Sequence, residues 1–267
     1  MFPPDVIDYI FSLLKYDAAV LRECSKAHPL LASIAERHLY VDIALQNQST
    51  RIDPAFLPSD ILKVFAEKPE VLNHVIHGLS IELLPLPTAE MNRSLEDVTS
   101  ILSIVVGISR LRSITLKGRS PVAWRTLDEG FRKAFLNCIH SPAVTDVSIQ
   151  NIVRFELSDL VGCKGLKHLS LRGWFRIKTG TLQTTPLDSI SRLKSLSLYD
   201  FRPLQALNRD IITWKLRKNL RALDLYSSNR ESFTSFGDLI YRHFYSLTCL
   251  RFDLADFCKY ILKVDNN

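Results

Sequence analysis

Glycine and long apolar runs are scarce in this chain of 267 residues. Only nine glycines are present, which argues against a low-complexity composition. No run approaches the roughly 18 consecutive apolar residues of a membrane span, and the first residues lack the basic region and apolar run of a signal peptide. Hydrophobic residues make up 46% of the chain, enough for a sizeable core. We therefore expect an ordered intracellular protein, cytoplasmic or nuclear, that does not contact a membrane.

The five cysteines form neither a disulfide framework nor a zinc-binding pattern. Their number is odd and no CxxC pair is present, whereas structural zinc sites use such pairs. Each has apolar neighbours in sequence, which favours a role as a small core residue. The histidines show no metal-ligand spacing with a third ligand, and no nucleotide-binding or hydrolase motif is present. The sequence therefore predicts a protein that is not an enzyme and needs no metal or other cofactor.

A repeated pattern fills the second half of the chain. Four segments match Leu-x-x-Leu-x-Leu, with Phe252 as the last residue of the fourth, and they start at 166, 193, 220 and 247. This constant spacing of 27 residues is typical of leucine-rich repeats. Weaker copies start at 76, 111 and 144, so seven parallel strands are expected. Stacked neighbours would bury the leucines in one core, because a single repeat cannot cover them.

The segments between the strands are expected to form helices or turns on the outer, convex side. The pairs Ser94 with Asp97 and Thr126 with Glu129 resemble capping boxes, and each precedes apolar residues at helical spacing. Shorter segments at 155–161 and 186–191 allow about one helical turn, and longer ones at 203–218 and 232–243 allow a helix. The predicted fold class is α/β. Because only residues 255–267 follow the last strand, that edge is expected to be poorly covered.

The first forty residues do not follow the repeat. Apolar residues at helical spacing predict a first helix that begins near Pro4. A second helix is expected at residues 17–31, ending near Pro29, and a third, short one at 34–39. Such a small unit has more apolar residues than it can bury alone. Part of its surface should therefore contact the repeats or another protein.

The order of these residues resembles the F-box, in the form common in fungal F-box-like proteins. The matching residues are Pro-Pro-Asp-Val with Ile-Phe-x-Leu-Leu, then Asp17, Leu21, Cys24, Ser25, His38, Leu39 and Tyr40. The sequence departs from that motif at Phe2, where leucine is usual, and at Leu31, where tryptophan is common. The resemblance implies a substrate receptor of an SCF-type ubiquitin ligase. Such a receptor binds a Skp-type adaptor, and through it a cullin, and holds a target protein on its repeats.

The resemblance also implies a division of the chain and an adaptor site. Residues 1–41 would form the F-box, residues 42–75 a helical linker, and residues 76–267 about seven repeats. The residues that would lie at or near the adaptor are Pro3, Pro4, Val6, Ile10, Phe11, Leu13 and Leu14. An alternative is that residues 2–41 only cap the open edge of the repeats. The chain would then be a protein-binding scaffold without an adaptor.

The polar residues between the leucines should form the concave face of the sheet. The side chains expected to contact a partner there are Lys117, Gln150, Arg172, Tyr199, Tyr226, Arg251 and Asp253. Cations and carboxylates nearly balance on this face, although the whole chain has a net charge of +6. A phosphate backbone needs clustered positive charge, so a protein is the expected ligand rather than nucleic acid. A basic-surface nucleic-acid binder remains a third hypothesis, which a steep loss of binding with salt would support.

Overall fold

The architecture is α/β, as predicted, and the described residues form three amino-terminal helices followed by a sheet of nine strands. It is taken from a computed structural model, which describes residues 3–14, 17–47, 56–68, 76–86, 88–173, 175–176, 192–199, 219–227, 240, 246–254 and 258–263. The expected convex segments at 186–191 and 203–218 lie outside these residues, as does nearly all of 232–243. Further helices lie between the first four strands of the sheet.

The first three helices are α1 (Pro4–Leu13), α2 (Ala18–Ala27) and α3 (Pro29–Leu39). Helix α1 begins at Pro4, because proline lacks the N–H that a first turn leaves unpaired. The Asp17 carboxylate caps α2 by accepting a hydrogen bond from the amide of Val20 at 3.1 Å. His28 separates α2 from α3 with an extended backbone. Its Nδ1 caps α3 by accepting a hydrogen bond from the amide of Leu30. The predicted second helix therefore ends four residues early, and α3 is longer than predicted.

Among the residues that the structure describes, nine strands form the main sheet. In spatial order they are β1 (Asp42–Gln46), β2 (Gly78–Leu83), β3 (Ser113–Ala123), β4 (Asp146–Val153), β6 (His168–Arg172), β8 (Ser195–Tyr199), β9 (Ala222–Ser227), β10 (Cys249–Leu254) and β11 (Cys258–Lys263). The first eight pair in parallel, whereas β11 pairs antiparallel with β10. Two short parallel strands, β5 (Phe155–Glu156) and β7 (Phe175–Arg176), form a second sheet.

The pairing register follows the Leu-x-x-Leu-x-Leu segments, and all seven of them contain a strand. The residues aligned at the start of these strands are Gly78, Ser113, Asp146, His168, Ser195, Ala222 and Cys249. The backbone just before each strand repeats one arrangement. The amides of Lys194 and Ser195, for example, both donate to the carbonyl oxygen of Lys167, at 2.7 and 3.0 Å. This arrangement keeps neighbouring strands level with one another.

One continuous apolar core connects the three helices to the sheet. The leading leucines of the four regular segments, Leu166, Leu193, Leu220 and Leu247, have no exposed surface. The core cluster extends from Phe11 in α1 to Leu250 in β10. Alternation along each strand explains this burial, since residues two apart point to the same side of a sheet. The amino-terminal helices therefore share the core of the sheet and do not enclose a separate one.

Strand β1 lies in the segment expected to be a helical linker. It pairs in parallel with β2, with Asp42 opposite Gly78, and Ile43 and Leu45 are buried. A helix, α4 (Pro58–Glu67), occupies only part of the predicted linker. The sheet therefore begins at Asp42 and not near residue 76. The signal was a weak copy of the repeat, Tyr40-x-x-Ile43-x-Leu45, with tyrosine in place of the first leucine.

The opposite edge of the parallel strands is also covered. Strand β11 pairs along the whole of β10, from Cys249 with Lys263 to Leu254 with Cys258. The expectation of a poorly covered edge was wrong. The sequence of residues 258–263, Cys-Lys-Tyr-Ile-Leu-Lys, matches neither the repeat pattern nor the spacing of an amphipathic helix. Strand β11 was therefore not predicted.

The helices between the early strands are α5 (Thr88–Ser94), α6 (Glu96–Val105) and α7 (Glu129–Ile139), with 3-10 turns at Trp124–Thr126 and Leu157–Gly162. Neither predicted capping box forms. The hydroxyls of Ser94 and Thr126 donate to carbonyl oxygens three residues earlier, those of Met91 and Ala123. Helix α7 is capped instead by Asp128, whose carboxylate accepts from the amide of Phe131 at 3.0 Å.

Replacing the buried Asn47 by alanine should destabilise the end of β1. Its Oδ1 accepts a hydrogen bond from the amide of Leu84 at 2.7 Å, and its Nδ2 lies 3.3 Å from the Ser94 hydroxyl. In Asn47→Ala the amide of Leu84 stays buried without its acceptor. We expect a loss of about 1–3 kcal/mol in the free energy of unfolding, measured by urea denaturation. Asn137→Ala, at an exposed position of α7, is the control; equal losses in both variants would contradict this assignment.

Candidate functional site

The first candidate site is an apolar stripe on α1. Val6, Tyr9, Ile10 and Leu13 lie at i, i+3, i+4 and i+7, which places them on one side of the helix. Their exposed fractions are 40%, 65%, 39% and 65%. Single exposed apolar residues are ordinary, whereas a contiguous exposed stripe marks an interaction surface. We call these four residues the α1 stripe.

The other side of α1 packs against the core. Phe11 is 5% exposed, and Ile7 and Leu14 are half-buried against the core cluster. Of the seven residues expected at the adaptor, Phe11 and Leu14 therefore position the helix instead of lying at its exposed surface. Pro3, Pro4, Val6, Ile10 and Leu13 are exposed. Sequence reasoning missed Tyr9, because α1 has apolar residues on both sides and spacing alone does not show which side is exposed.

Polar contacts fix the orientation of α1 on α3. Asp8 Oδ1 lies 3.2 Å from Arg37 Nη2 and 3.0 Å from His38 Nε2. The pair with Arg37 is largely exposed and contributes little energy, but both contacts cross from one helix to the other. Val20 and Leu30, at the amino-terminal ends of α2 and α3, are also exposed apolar residues. The three helices thus present apolar side chains to solvent while their inner sides hold them in place.

A groove of about 450 Å³ lies between α2, α3 and α4. Its walls include Tyr40, Phe56 and Arg22. The guanidinium carbon of Arg22 lies 4.4 Å from the centre of the Phe56 ring. Burial, and secondarily Glu36, raises the pKa of the Tyr40 hydroxyl above its ordinary value. The hydroxyl is therefore neutral at physiological pH. The stacking of Arg22 on an aromatic ring is a stabilising contact within the fold.

The second candidate site is the polar face of the sheet. The residues expected there occupy two aligned rows: Glu82, Lys117, Gln150, Arg172, Tyr199, Tyr226 and Asp253 in one, and Ser80, Thr115, Ser148, Ser170, Ser197, Asp224 and Arg251 in the other. The structure thus brings all seven predicted partner-binding residues onto one face. This follows from the register, because parallel strands that start level place equivalent residues side by side.

Contacts between neighbouring strands satisfy many of these side chains. Glu82 accepts a hydrogen bond from Gln46 Nε2 at 2.8 Å and pairs with Lys117 Nζ at 3.0 Å. Asp224 accepts from the Ser197 hydroxyl at 2.9 Å and lies 3.9 Å from Arg251 Nε. Lys117 and Arg251 are therefore partly neutralised on the protein itself. Their charges give this face less attraction for anions than a count of cations implies.

Aromatic and hydroxyl groups make up the rest of the polar face. The rings of Tyr199 and Tyr226 lie 6.0 Å apart, centre to centre, and both residues are half-buried. Gln150 donates to the Ser148 hydroxyl at 3.1 Å, and Arg172 is exposed. Nearer the strand starts is a shallow depression of about 190 Å³. The side chains around it include Ser113, Asp146, Ser148, His168, Ser170, Ser195 and Ser197.

Two cysteines are core residues and should be chemically inert in the folded protein. Burial raises the pKa of the thiols of Cys138 and Cys163 to about 12, so both remain protonated at about pH 8, where a free thiol is partly ionised. Cys24 and Cys249 are only half-buried. We expect iodoacetamide to leave Cys138 and Cys163 unmodified in the native protein, as read by peptide mass spectrometry. Alkylation in urea is the control, and rapid native labelling of either thiol would contradict the structure.

The described part of the chain has neither a cluster of metal ligands nor a membrane-spanning helix. No group of three or more His, Cys, Asp or Glu side chains lies close enough there to hold a metal ion. None of the helices within the described ranges is long and apolar enough to cross a membrane. Comparisons with known proteins add no assignment: no family model, no curated protein and no solved structure matches this chain.

Proposed function

We propose that this chain is an F-box and leucine-rich-repeat protein, the substrate receptor of an SCF-type ubiquitin ligase. The three amino-terminal helices bind a Skp-type adaptor, and through it a cullin, and the repeats bind the target protein. The receptor acts by bringing the target close to the ligase and contributes no catalytic group. Its place of action is the cytoplasm or the nucleus.

The α1 stripe is the observation that carries this proposal. A helix that already packs Phe11 into the core gains nothing from four further apolar residues in water. Burying a side chain such as leucine contributes about 1.5–3 kcal/mol, which gives this stripe a strong tendency to be covered. The F-box resemblance independently assigns Val6, Ile10 and Leu13 to the adaptor surface. Three of the seven residues that the resemblance assigns to the adaptor thus belong to the exposed stripe, whereas Phe11 and Leu14 pack on the other side of α1.

The parallel sheet supports the second half of the proposal. Four segments repeat at a spacing of 27 residues, their strands align in one register, and their leading leucines are buried. These observations support a solenoid whose repeats are stabilised by their neighbours. Such arrays commonly bind partners along the strand face, where Tyr199 and Tyr226 lie side by side. Tyrosine is among the residues that contribute most to protein interfaces.

One observation favours the alternative, in which the helices act as a cap. The core cluster runs without interruption from α1 to the strands, and β1 follows α3 after only two residues. The helices therefore cover the start of the sheet whether or not they bind an adaptor. The α1 stripe distinguishes the two functions, because a cap does not require exposed apolar residues on its outer side.

Co-expression with a Skp-type adaptor tests the proposal. We expect the two proteins to elute together in size-exclusion chromatography, as a complex that survives dilution to micromolar concentration. If the folded chain elutes alone, the receptor function is wrong and the scaffold function takes its place. Circular dichroism on the separated chain distinguishes a folded protein that ignores the adaptor from one that has not folded.

A further inference from the structure

Five cations cluster at the edge of the sheet where the strands begin. Lys167, Lys194 and Arg221 immediately precede the neighbouring strands β6, β8 and β9, and Lys164 and Arg192 lie in the turns before them. All five are exposed. The shared backbone pattern fixes their alignment: the amide of Lys194 donates to the carbonyl of Lys167, and that of Arg221 to the carbonyl of Lys194, both at 2.7 Å. We call this cluster the basic edge.

No described residue neutralises the basic edge: in the described part of the chain none of its five cations forms an ion pair. Neighbouring strands are about 4.8 Å apart, so Lys167, Lys194 and Arg221 stand within about 10 Å of one another. Like charges placed side by side on adjacent strands destabilise a sheet. A bound anionic group would remove this repulsion as well as add its own attraction.

The surroundings of the basic edge favour an extended peptide. The shallow depression on the polar face of these strands contains the hydroxyls of Ser170 and Ser195, next to His168 and Asp146. The two hydroxyls can hydrogen-bond to carboxylates and to a peptide backbone. An extended chain advances about 3.3 Å per residue, so three or four residues cross from β6 to β9. Two side chains of such a segment point to the same side, about 6.6 Å apart, and each carboxylate can lie between two neighbouring cations.

We propose that the basic edge binds an extended acidic segment of a partner protein. Its glutamate or aspartate side chains pair with Lys167, Lys194 and Arg221, and its backbone lies towards the serines of the depression. The inference goes beyond adaptor binding, because it concerns a different surface and holds for a ligase receptor and for a scaffold alike. These five positive residues, which form no ion pair with any described residue, also account for part of the net charge of +6.

A single-stranded nucleic acid fits this surface less well. Binding of single strands relies on aromatic side chains that stack on the bases, and the aligned tyrosines, Tyr199 and Tyr226, lie at the far ends of their strands. Tyr199 lies four residues after Ser195, and Tyr226 lies four residues after Ala222. Each tyrosine is therefore about 13 Å along its strand from the strand start. Asp224, which lies between the basic edge and Tyr226 on β9, would also repel a phosphate backbone that crossed towards the tyrosines.

Fluorescence anisotropy with a labelled poly-glutamate peptide tests the proposal on the full-length chain. We expect binding that weakens as salt is raised towards an ionic strength of about 0.15 M, where the Debye length is about 8 Å. The variant Lys167→Glu, Lys194→Glu, Arg221→Glu should bind at least about tenfold more weakly, because three attractions become repulsions. Its unfolding transition should be little changed, because three adjacent negative charges repel one another about as three positive ones do and all three positions are exposed.

The matched control is Arg93→Glu, Lys133→Glu, Arg119→Glu, which changes the net charge equally at exposed positions away from the basic edge. If both triple variants lose binding to the same extent, overall charge and not this cluster attracts the peptide, and the proposal is overturned. It is also overturned if the wild-type chain does not bind poly-glutamate at low salt. Tighter binding of an oligothymidylate of equal charge through the same three residues would identify nucleic acid as the ligand instead.

Discussion

Replacing Ile10 and Leu13 by aspartate should abolish co-elution with a Skp-type adaptor. Both side chains belong to the α1 stripe and are 39% and 65% exposed, so the double variant should fold. In the complex each would be covered by the adaptor, and a buried, unpaired carboxylate is strongly unfavourable. Central interface residues commonly contribute 2 kcal/mol or more. Two such changes should therefore weaken the complex by at least about a hundredfold, as measured by titration calorimetry.

The matched control for this experiment lies elsewhere on the surface. Ile104 and Val106, at the end of α6, are exposed to a similar extent, 41% and 38%. Aspartate at these two positions introduces the same charge and removes similar apolar area, so the complex should persist. Retention of the complex by Ile10→Asp, Leu13→Asp would show that the adaptor does not bind the α1 stripe. The assignment of adaptor binding to α1 would then be wrong. Leu14 is unsuitable for this test because it packs partly against the core.

Replacing Phe135 by alanine should cause a large loss of stability. Phe135 is fully buried in α7, and its ring lies 5.8 Å from that of Trp124 and 6.4 Å from that of Phe131, centre to centre. Truncation removes these contacts and leaves a cavity that the surrounding rings cannot fill. We expect a loss of about 3–5 kcal/mol in the free energy of unfolding, which is a large part of the 5–15 kcal/mol typical of a domain. Urea denaturation followed by circular dichroism measures it.

Lys133→Ala serves as the control in the same helix. Lys133 is exposed, so its truncation should change stability by no more than about 0.5 kcal/mol. A loss of less than about 1 kcal/mol in Phe135→Ala would mean that α7 does not pack as the structure has it. The comparison also distinguishes the packing of Phe135 from helix propensity, because both variants place alanine in α7.

The register of the sheet was predictable because one pattern determines several properties together. In Leu-x-x-Leu-x-Leu the last two leucines are two residues apart and therefore share the buried side of a strand. The pattern itself, and not equal spacing, makes the strands start level, because the unequally spaced segments at 76, 111 and 144 align in the same register. The aligned rows that include Lys117 and Tyr199 follow from these facts without knowledge of the connecting segments. Strand β1 escaped detection because Tyr40, its equivalent of the first leucine, also completes the amino-terminal helical motif.

The orientation of side chains on α1 could not be predicted from the sequence. The helix is apolar on most of its circumference, so periodicity cannot distinguish the side that packs, with Phe11, from the side that remains exposed, with Tyr9. Only the position of α1 on α3 decides this. The predictions of capping boxes at Ser94 and Thr126 were wrong for a related reason. A serine or threonine hydroxyl can donate to an earlier carbonyl as readily as it can accept from a later amide, and Ser94 and Thr126 do the former.

The short connection between α3 and β1 has a consequence for how a bound target would be presented. Only Tyr40 and Val41 separate the two elements; Tyr40 is buried, and the carbonyl of Val41 accepts hydrogen bonds from the amides of His77 and Gly78. A junction with both residues held in this way cannot act as a hinge. In the proposed receptor the target would therefore stand at one fixed distance and angle from the ligase. Which of its lysines receive ubiquitin would then be decided by geometry, and lengthening this junction with glycines should broaden the set of modified lysines.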